Sequence, residues 1–429
     1  MAEISPFQGV RYNQEKVPDL AAAICPPYDV ISPAEQKEYY DKSEFNVIQL
    51  EHGLELPDDN ENNNKYTRAR ATLDKWLKDR ILQIDTAPTF YIYEQGFTIN
   101  DSKKRRMGLI ACVKLEPWER KVIYPHENTF QRVKSDRLEL MRACNANISP
   151  ILGLYEDPGG KVTKLMQAKS LPSKLLIDIT IGNEIHRVWK ANEPEFMQRC
   201  SHFIFPKPIY IADGHHRYET ALAYRDERIQ KASTNTGYEA FNFVMMTLVP
   251  FSDPGLVMLP IHRLIKNIEP EKINQLKEQL GKYFDIKVYP LSNTELSENR
   301  SAGIKLIGLE SNQMLNLRPL SSTSINDFMP GERSSTYKRL DVSIVEHVII
   351  ENLLGLQNDS ENIIYTPDTR QAIKLVQDGH YQLAFILSPM SVTTIKAIAD
   401  AGDRMPRKST YFYPKLPTGL VINRLEGKM

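Results

Sequence analysis

The sequence contains few cysteines, and none of them is paired along the chain. Cys25, Cys112, Cys144 and Cys200 lie far apart, without a CxxC pair. This spacing fits neither a disulfide framework nor a structural zinc site. We therefore predict reduced thiols that are mostly buried in the core.

An excess of charge of one sign is also absent. The chain has 54 Lys and Arg against 54 Asp and Glu, a formal net charge of zero. Without an overall basic field, nucleic acid is not expected as a partner. Uninterrupted apolar runs are short, for example Leu109 to Val113, and no basic n-region with an apolar stretch opens the chain. These features predict no membrane partner and a cytoplasmic location.

Three common catalytic and nucleotide-binding signatures are missing as well. The chain has no P-loop, no GxGxxG and no GxSxG. The usual NTPase, dinucleotide-binding and α/β-hydrolase interpretations therefore lose their support. If the protein binds a phosphate group, its site should be of a less common kind.

The length and composition indicate a folded, enzyme-sized protein. With 429 residues, of which 41% are hydrophobic and 25% charged, the chain can form two or three lobes with real cores. Turn-rich composition near Pro158 and Pro290 suggests an N-terminal α/β lobe (residues 1–157), a central lobe (158–290) and a C-terminal α/β lobe (291–429). One compact unit is the alternative.

Hydrophobic periodicity predicts both helices and antiparallel strands. Asn64 to Arg80 has helical spacing, Phe45 to Leu50 is typical of a strand, and Thr89 to Thr98 with Met107 to Leu115 predicts a long hairpin. We therefore predict a mixed α/β (α+β) fold with several lobes and with mixed sheets that contain hairpins.

The sharpest local pattern is a strand followed by a glycine turn and a helix. Pro208 to Ala212 predicts an apolar strand, Asp213-Gly214 a turn, and His216 to Gln230 a helix. The first N–H groups of a helix lack partners and carry the positive end of the macrodipole, so they stabilise an anion, and a glycine lets it approach. This turn is our candidate for binding phosphate.

The side chains of the turn support the same interpretation. Arg217 is a planar, permanently charged donor for phosphate oxygens, and His215 and His216 can donate or accept hydrogen bonds. In the alternative, Asp213 only caps the helix and the histidines pack. Adjacent helical residues point roughly 100° apart, so we predict no dedicated metal site here. Magnesium would arrive with nucleotide phosphates.

Several motifs along the chain resemble one protein family. The string Tyr210 to Leu222 is similar to the signature of domain of unknown function 1015. Other segments also match that family: Pro26 to Ser32, Pro125 to Thr129, Lys134 to Arg137, Leu259 to Arg263 and Ser409 to Lys415. The resemblance covers nearly the whole chain, but it implies no reaction.

The Asp-Gly-His-His-Arg core also resembles a motif of free-serine kinases with the partition-protein and sulfiredoxin-like fold. In those proteins the motif cradles nucleotide phosphates, and an acidic residue elsewhere activates the substrate hydroxyl. The resemblance implies phosphate contacts from Gly214, His215, His216 and Arg217. It also implies that Asp213 lies near the metal or the reacting centre of a similar phosphate-binding core.

A carboxylate and an imidazole adjoin each other at His126-Glu127, in a loop before a helix. Glu127 is our first candidate for the general base that takes a proton from an attacking hydroxyl, with His126 beside it. In the alternative, Asn128 or Thr129 caps the next helix and Glu127 complements its dipole.

Other polar residues are candidates for binding substrate, with an ordinary turn, surface or packing role as the alternative for each. A phenol and a carboxylate follow the rigid Pro26-Pro27 pair, charged residues lie in the helix predicted after the His126-Glu127 loop, and basic residues occur further on. These candidates are Tyr28, Asp29, Lys134, Asp136, Arg137, His262, Arg263 and Lys415.

The hypothesis that these observations favour is a nucleotide-dependent phosphotransferase acting on the hydroxyl of a small, serine-like metabolite, with ATP or ADP and magnesium. Phosphoryl transfer needs positioning and charge neutralisation more than covalent chemistry. Two alternatives remain: a nucleotide-binding switch without metabolite chemistry, and a phosphatase or hydrolase.

Overall fold

The computed structural model describes residues 1–170, 174–232, 234–291, 303–321, 325–357 and 361–429. Contacts divide the chain into two compact units. The first comprises Met1–Pro125, Thr129–Val257 and Pro414–Met429, and the second comprises His126–Asn128 and Met258–Tyr413. These units do not follow the lobes expected from composition, because strands from both sides of Pro158 pair within one sheet.

The elements of the first unit are numbered along the whole chain. Its strands are β1 (Ile4–Ser5), β2 (Val10–Tyr12), β3 (Leu82–Ile84), β4 (Phe90–Ile99), β5 (Ser102–Lys114), β6 (Ile123–Tyr124), β7 (Ala146–Asn147), β8 (Ile151–Tyr155), β9 (Ile177–Ile181), β10 (Glu184–Ala191), β11 (Ile209–Asp213), β12 (Phe243–Pro250) and β21 (Asn423–Arg424). Its α-helices are α1 (Leu20–Ala23), α2 (Pro33–Lys42), α3 (Ile48–Glu51), α4 (Lys65–Lys78), α5 (Gln131–Cys144), α6 (Lys161–Ser170), α7 (Pro194–Ile204) and α8 (His215–Lys231). Short 3-10 turns lie at Tyr28–Val30, Trp118–Arg120, Pro158–Gly160 and Ala240–Asn242.

A mixed sheet forms the centre of the first unit. Its strand order is β6, β11, β8, β12, β5, β4, β10, β9, and β1 also pairs with β5. The pairs β6 with β11 and β8 with β12 are parallel, and the others are antiparallel. Strands β8 and β12 are buried along their whole lengths, as expected of near-continuous apolar runs covered on both faces. The long hairpin is confirmed as β4 and β5.

The second unit contains its own sheet. Its strands are β13 (Val257–Leu259), β14 (His262–Ile265), β15 (Phe284–Pro290), β16 (Ile304–Ile307), β17 (Gln313–Pro319), β18 (Ile363–Thr366), β19 (Leu383–Ile386) and β20 (Tyr411–Tyr413). Its helices are α9 (Pro270–Tyr283), α10 (Ser335–Lys338), α11 (Asp341–Ser343), α12 (Thr369–Gln377) and α13 (Val392–Asp400), with a π-helix at Ile344–Leu353. The sheet order is β15, β17, β16, β19, β14, β18, and β13 pairs with β20.

The mixed α/β class with several sheets and hairpins is therefore confirmed. One local prediction is wrong: Phe45 to Leu50 forms no strand, and its last residues belong to α3. The cause is tertiary, because the Asn46 amide donates to the Ala22 carbonyl at 2.7 Å and its oxygen accepts from the Ile48 N–H at 2.9 Å. The Asn46 side chain thus bonds backbone groups that would otherwise need a partner such as a neighbouring strand.

The cysteines follow the prediction of buried thiols. All four cysteines are free and buried. In the parts of the chain that the structure describes, no helix combines the length and the apolar character needed to cross a bilayer.

Candidate functional site

The turn between β11 and α8 depends on a glycine that no other residue can replace without strain. Gly214 has φ = 96° and is the N-cap of α8. A Cβ atom at this position would lie 2.9 Å from Nε of Arg217. The Arg217 side chain therefore folds back over the glycine, towards the strand that precedes it. The φ value of Gly214 is in the left-handed region of backbone conformation, which favours glycine.

The Asp213 carboxylate accepts hydrogen bonds from two cations. One oxygen bonds Nη2 of Arg217 and the other bonds Nζ of Lys415. Nη1 of Arg217 donates to the Pro150 carbonyl. Burial alone would raise the pKa of Asp213, but Lys415 and Arg217 hold it well below its usual range. Asp213 is therefore an anion that fixes both cations.

A second carboxylate adjoins the same lysine. Oδ2 of Asp29 lies 3.9 Å from Nζ of Lys415, and the Asp29 side chain is 27% exposed against 16% for Asp213. Asp29 belongs to the 3-10 turn that follows Pro26 and Pro27. Of the two carboxylates, Asp29 is the one more accessible to a ligand.

Lys415 is held in place through its own backbone. Nη2 of Arg106 donates to the Pro414 carbonyl at 2.7 Å, and Nε2 of Gln95 donates to the Lys415 carbonyl at 3.1 Å. Gln95 and Arg106 are cross-strand partners on β4 and β5, and both are buried. The central hairpin thus sets the position of a lysine that is 202 residues from Asp213 in sequence.

Arg137 and Glu51 form a buried layer beside this cluster. Nη1 of Arg137 donates to the Glu51 carbonyl at 2.6 Å, and its guanidinium lies 4.2 Å from the centre of the Tyr28 ring. Burial raises the pKa of Glu51, and Arg137 and Arg217 oppose that shift. A small cavity of about 40 Å³ is lined by Glu51, Arg137, Ser149 and Arg217, among others.

The other helix α5 candidates make ion pairs. Asp136 accepts from Nζ of Lys65 at 2.7 Å and from the Tyr66 hydroxyl at 2.8 Å, and it also pairs with Arg137. Burial would raise the pKa of Asp136, but Arg137 and these hydrogen bonds lower it to about 2. Lys134 pairs instead with Glu219 at 3.0 Å.

The two histidines of the motif have different surroundings. His216 accepts a hydrogen bond from the Phe130 N–H at 2.8 Å, and its ring stacks on that of Phe130. Phe130 is the N-cap of α5, and no side chain of its own caps the helix. His216 therefore serves the start of α5. His215 is 8% exposed and adjoins Asp213, whose pKa it helps to lower.

His126 and Glu127 belong to the second unit. The Glu127 carboxylate accepts from the N–H of Lys408 at 2.7 Å and from that of Ser409 at 3.4 Å. Nε2 of His126 lies 3.0 Å from the Thr410 hydroxyl. Neither Asn128 nor Thr129 caps α5, so that alternative is wrong, and Glu127 instead fixes a loop.

His262 and Arg263 also lie in the second unit, on β14. Nε2 of His262 lies 2.8 Å from the Thr369 hydroxyl, and its Nδ1 accepts from the Leu387 N–H at 3.2 Å. Burial lowers the pKa of His262 to about 4, so this ring is neutral near pH 7. Nη1 of Arg263 donates to the Ile261 carbonyl at 2.6 Å.

The structure thus groups most of the sequence candidates in the first unit and a minority in the second. The first unit holds Tyr28, Asp29, Lys134, Asp136, Arg137, Asp213, Gly214, His215, His216, Arg217 and Lys415, and the second holds His126, Glu127, His262 and Arg263.

Sequence reasoning missed Gln95 and Arg106, which donate to the backbone carbonyls of Lys415 and Pro414. It also missed Glu51 and Ser149, which line a cavity together with Arg217. Polar residues at inward positions of apolar strands were the signal for the first two. Among the described residues, no group of three His, Cys, Asp or Glu is arranged to hold a metal ion.

Comparison with known proteins places the chain in a family. Free serine kinase, as a mutant in complex with AMP, is 13% identical with a TM-score of 0.36, over 70% of this chain and 89% of that one. SbnI with C-terminal truncation from Staphylococcus aureus is 10% identical with a TM-score of 0.36, over 72% and 86%. A conserved hypothetical protein from Pyrococcus furiosus is 15% identical with a TM-score of 0.33, over 70% and 92%.

These TM-scores are below 0.5, so we draw no functional conclusion from the three structures. A search among curated proteins gave no match. The family model described as "Protein of unknown function (DUF1015)" matches residues 4–343, which is well over half of the chain. The resemblance seen in the motifs is thereby confirmed, and the chain belongs to the DUF1015 family.

Proposed function

We propose that this protein is a nucleotide-dependent phosphotransferase that acts on the hydroxyl of a small, serine-like metabolite. The observation that carries the proposal is the cluster of Asp213, Lys415 and Asp29 at the start of α8. That helix has 17 residues, so its first N–H groups carry a full macrodipole. An anion is stabilised at this point, and a phosphate group is the simplest one.

Lys415 is the cation that we assign to the phosphate. It is a point charge beside the helix terminus, and its position is fixed by Asp213 and by the backbone contacts of the hairpin. The Arg217 guanidinium donates from one terminal nitrogen to Asp213 and from the other to the Pro150 carbonyl. We therefore assign Arg217 to positioning Asp213, rather than to the direct phosphate contact that the motif suggested.

Asp29 is our candidate for the general base. In the proposed step its carboxylate takes the proton of the acceptor hydroxyl, and the acceptor oxygen forms a bond to the terminal phosphorus of the nucleotide. The bond from that phosphorus to the bridging oxygen breaks, and the shortened nucleotide leaves with the electron pair. Magnesium, bound to the nucleotide phosphates, would neutralise their charge. Glu127 is less suited because loop N–H groups already occupy its carboxylate.

A labelled-nucleotide screen tests the proposal. Full-length protein is incubated with a metabolite pool, magnesium and ATP or ADP labelled at the terminal phosphate, and the product that gains label is identified. We expect a phosphorylated metabolite. Release of inorganic phosphate alone would indicate hydrolysis, and binding without turnover would indicate a switch, so either result would contradict the proposal.

Two variants test whether Asp29 and Lys415 have the roles that we assign to them. Asp29→Asn should lower turnover by about 10²- to 10⁴-fold and leave nucleotide binding nearly intact. Lys415→Gln should weaken nucleotide binding, since it removes a charge-assisted contact. The matched control is Lys231→Gln, at the exposed far end of α8, which should behave as wild type.

A further inference from the structure

The second unit contains a cavity of about 500 Å³ beside the end of strand β17. Among the described residues that line it, three are basic, Arg333, Lys338 and Arg339, and one is acidic, Asp341. Small-molecule sites commonly have volumes of about 300 to 1,000 Å³. The cavity therefore has room for a metabolite, and its lining carries an excess of two positive charges.

Lys338 and Arg339 have N–H groups that the protein itself does not use. Nζ of Lys338 donates to the Gly331 carbonyl at 3.1 Å, and an ammonium group has three N–H donors. Arg339 is exposed, and its guanidinium forms no hydrogen bond or ion pair with the described residues. A guanidinium presents a planar fork that matches the oxygens of a phosphate. Both side chains can therefore donate to a ligand in the cavity.

The segment that carries these cations is fixed to the core of the second unit. The buried Asp403 carboxylate accepts from the Ser334 N–H at 2.9 Å and lies 3.6 Å from Nη1 of Arg333. Tyr337 is buried, and its hydroxyl lies 2.8 Å from Nε2 of His347. The Arg333 guanidinium lies 5.3 Å from the centre of the Tyr337 ring. The segment is therefore ordered before a ligand binds, which reduces the entropy lost on binding.

The rest of the lining offers both polar and apolar contacts. Asn326 and Ser335 are exposed polar residues of the lining, and Ile325 and Ile344 are buried apolar ones. The Asp341 carboxylate is an acceptor that forms no hydrogen bond or ion pair with the described residues, and burial raises its pKa. Hydroxyl groups of a ligand therefore have partners here, and its carbon atoms have apolar surface to contact.

We propose that this cavity binds a phosphate monoester of a small polyhydroxy compound. The phosphate accepts from Arg333, Lys338 and Arg339. Hydroxyl groups of the organic part bond with Asp341 and Asn326. A phosphate monoester carries a charge of about −1.5 to −2 at pH 7, which matches the excess positive charge better than the single charge of a carboxylate. The proposal uses residues of the second unit only and does not depend on the phosphotransferase proposal.

A matched series of compounds tests the assignment on the full chain. Titration calorimetry compares three esters, glycerol 3-phosphate, ribose 5-phosphate and glucose 6-phosphate, with inorganic phosphate, glucose and glucuronate. Glucuronate has a carboxylate at the carbon where glucose 6-phosphate carries its phosphate. We expect at least one ester to bind at least about 10-fold more tightly than each of the other compounds, the value of one hydrogen bond to a charged group.

Two results of this series would overturn the proposal. If no ester binds more tightly than inorganic phosphate, the cavity does not recognise the organic part. If glucuronate binds as tightly as the esters, it does not select a phosphate.

Substitutions show which residues hold the ester that binds most tightly. Arg339→Gln and Lys338→Gln each remove one cation, so the affinity should fall at least about 10-fold in each. Arg370→Gln is the control and should bind as wild type, because Arg370 is an exposed arginine of the same unit that is not among the described residues lining the cavity. Unchanged affinity in Arg339→Gln and Lys338→Gln would overturn the proposal. An affinity that falls in Lys415→Gln but not in these two variants would place the ester in the first unit and would overturn it as well.

A crystal structure of the full chain with the same ester provides an independent measurement. The phosphate oxygens should lie within hydrogen-bond distance of Nζ of Lys338 and of the Arg339 guanidinium. An ester found elsewhere, or a cavity without the ester, would contradict the assignment.

Discussion

At the scale of single residues, the candidate phosphate site is held in place by a series of side-chain contacts. Gly214 gives the Arg217 side chain room to turn back, and Arg217 then fixes Asp213, which in turn holds Lys415. The sequence motif predicted an anion-binding turn, but it could not show that Arg217 already donates to Asp213 and to the Pro150 carbonyl. The position of the Arg217 side chain depends on the left-handed backbone of Gly214 and on the carbonyl of Pro150, which lies between β7 and β8.

Replacing Gly214 by alanine should destabilise the protein. The left-handed conformation and the 2.9 Å approach of Nε of Arg217 leave no place for a Cβ atom, so we expect a loss of about 1 to 3 kcal/mol in the free energy of unfolding. Urea denaturation measures it. Gly96→Ala, on β4, is the control, because its Cβ would meet only Ile185 at an ordinary 3.6 Å. Equal stability of the two variants would contradict the assignment.

Asp136 should make stability depend on pH in the acid range. Its pKa is about 2 in the folded protein, below the usual carboxyl value, so its contribution is fully present above about pH 4 and is lost as the pH falls towards 2. The loss should be on the order of 2 kcal/mol. Denaturation of wild type and Asp136→Asn across this range tests it. An Asp136→Asn profile parallel to that of wild type would show that the ion pairs contribute nothing.

At the scale of elements, periodicity predicted what depends on local spacing and missed what depends on distant partners. Helix α4 appeared where predicted, because Ala69, Leu73 and Trp76 recur at helical spacing and are buried. Phe45 to Leu50 did not form a strand, because Asn46 bonds to the end of α1. The start of α5 likewise lacked a sequence signal, since its capping group comes from His216, 86 residues away.

The start of α5 should therefore depend on a histidine in another helix. His216→Phe keeps the ring that stacks on Phe130 but removes the acceptor, so we expect a loss of about 1 to 2 kcal/mol. His216→Gln, which can still accept a hydrogen bond, should recover part of it. Chemical denaturation gives both values, and a His216→Phe protein as stable as wild type would remove the capping role.

At the scale of the whole molecule, the first unit is assembled from three separate stretches of chain. Its last stretch, Pro414–Met429, supplies Lys415 and pairs β21 with β7. No local pattern predicts such an arrangement, and turn-rich composition placed the lobe boundaries elsewhere. The motifs nevertheless marked Ser409 to Lys415 as important, although only the fold connects Lys415 with Asp213.

Deleting Pro414–Met429 should prevent the first unit from folding. The stretch buries five large apolar side chains, at positions 416, 420, 421, 422 and 425. Their burial is worth about 7 to 15 kcal/mol, which is comparable to the whole stability of a domain. Limited proteolysis and near-UV circular dichroism should show the loss. Lys415→Gln is the control, because it removes the charge and keeps the apolar contacts, and a folded deletion variant would refute the expectation.

The sequence separation of Asp213 and Lys415 has a consequence for biosynthesis. The two residues are 202 positions apart, so at roughly 5 to 20 residues per second a ribosome makes the aspartate about 10 to 40 s before its lysine partner. During that interval it synthesises the entire stretch Met258–Tyr413, which forms a different unit. The nascent first unit therefore has every strand of its central sheet long before it has Lys415 and β21, and chains released in that interval carry Asp213 and Arg217 without the lysine that completes their ion-pair network.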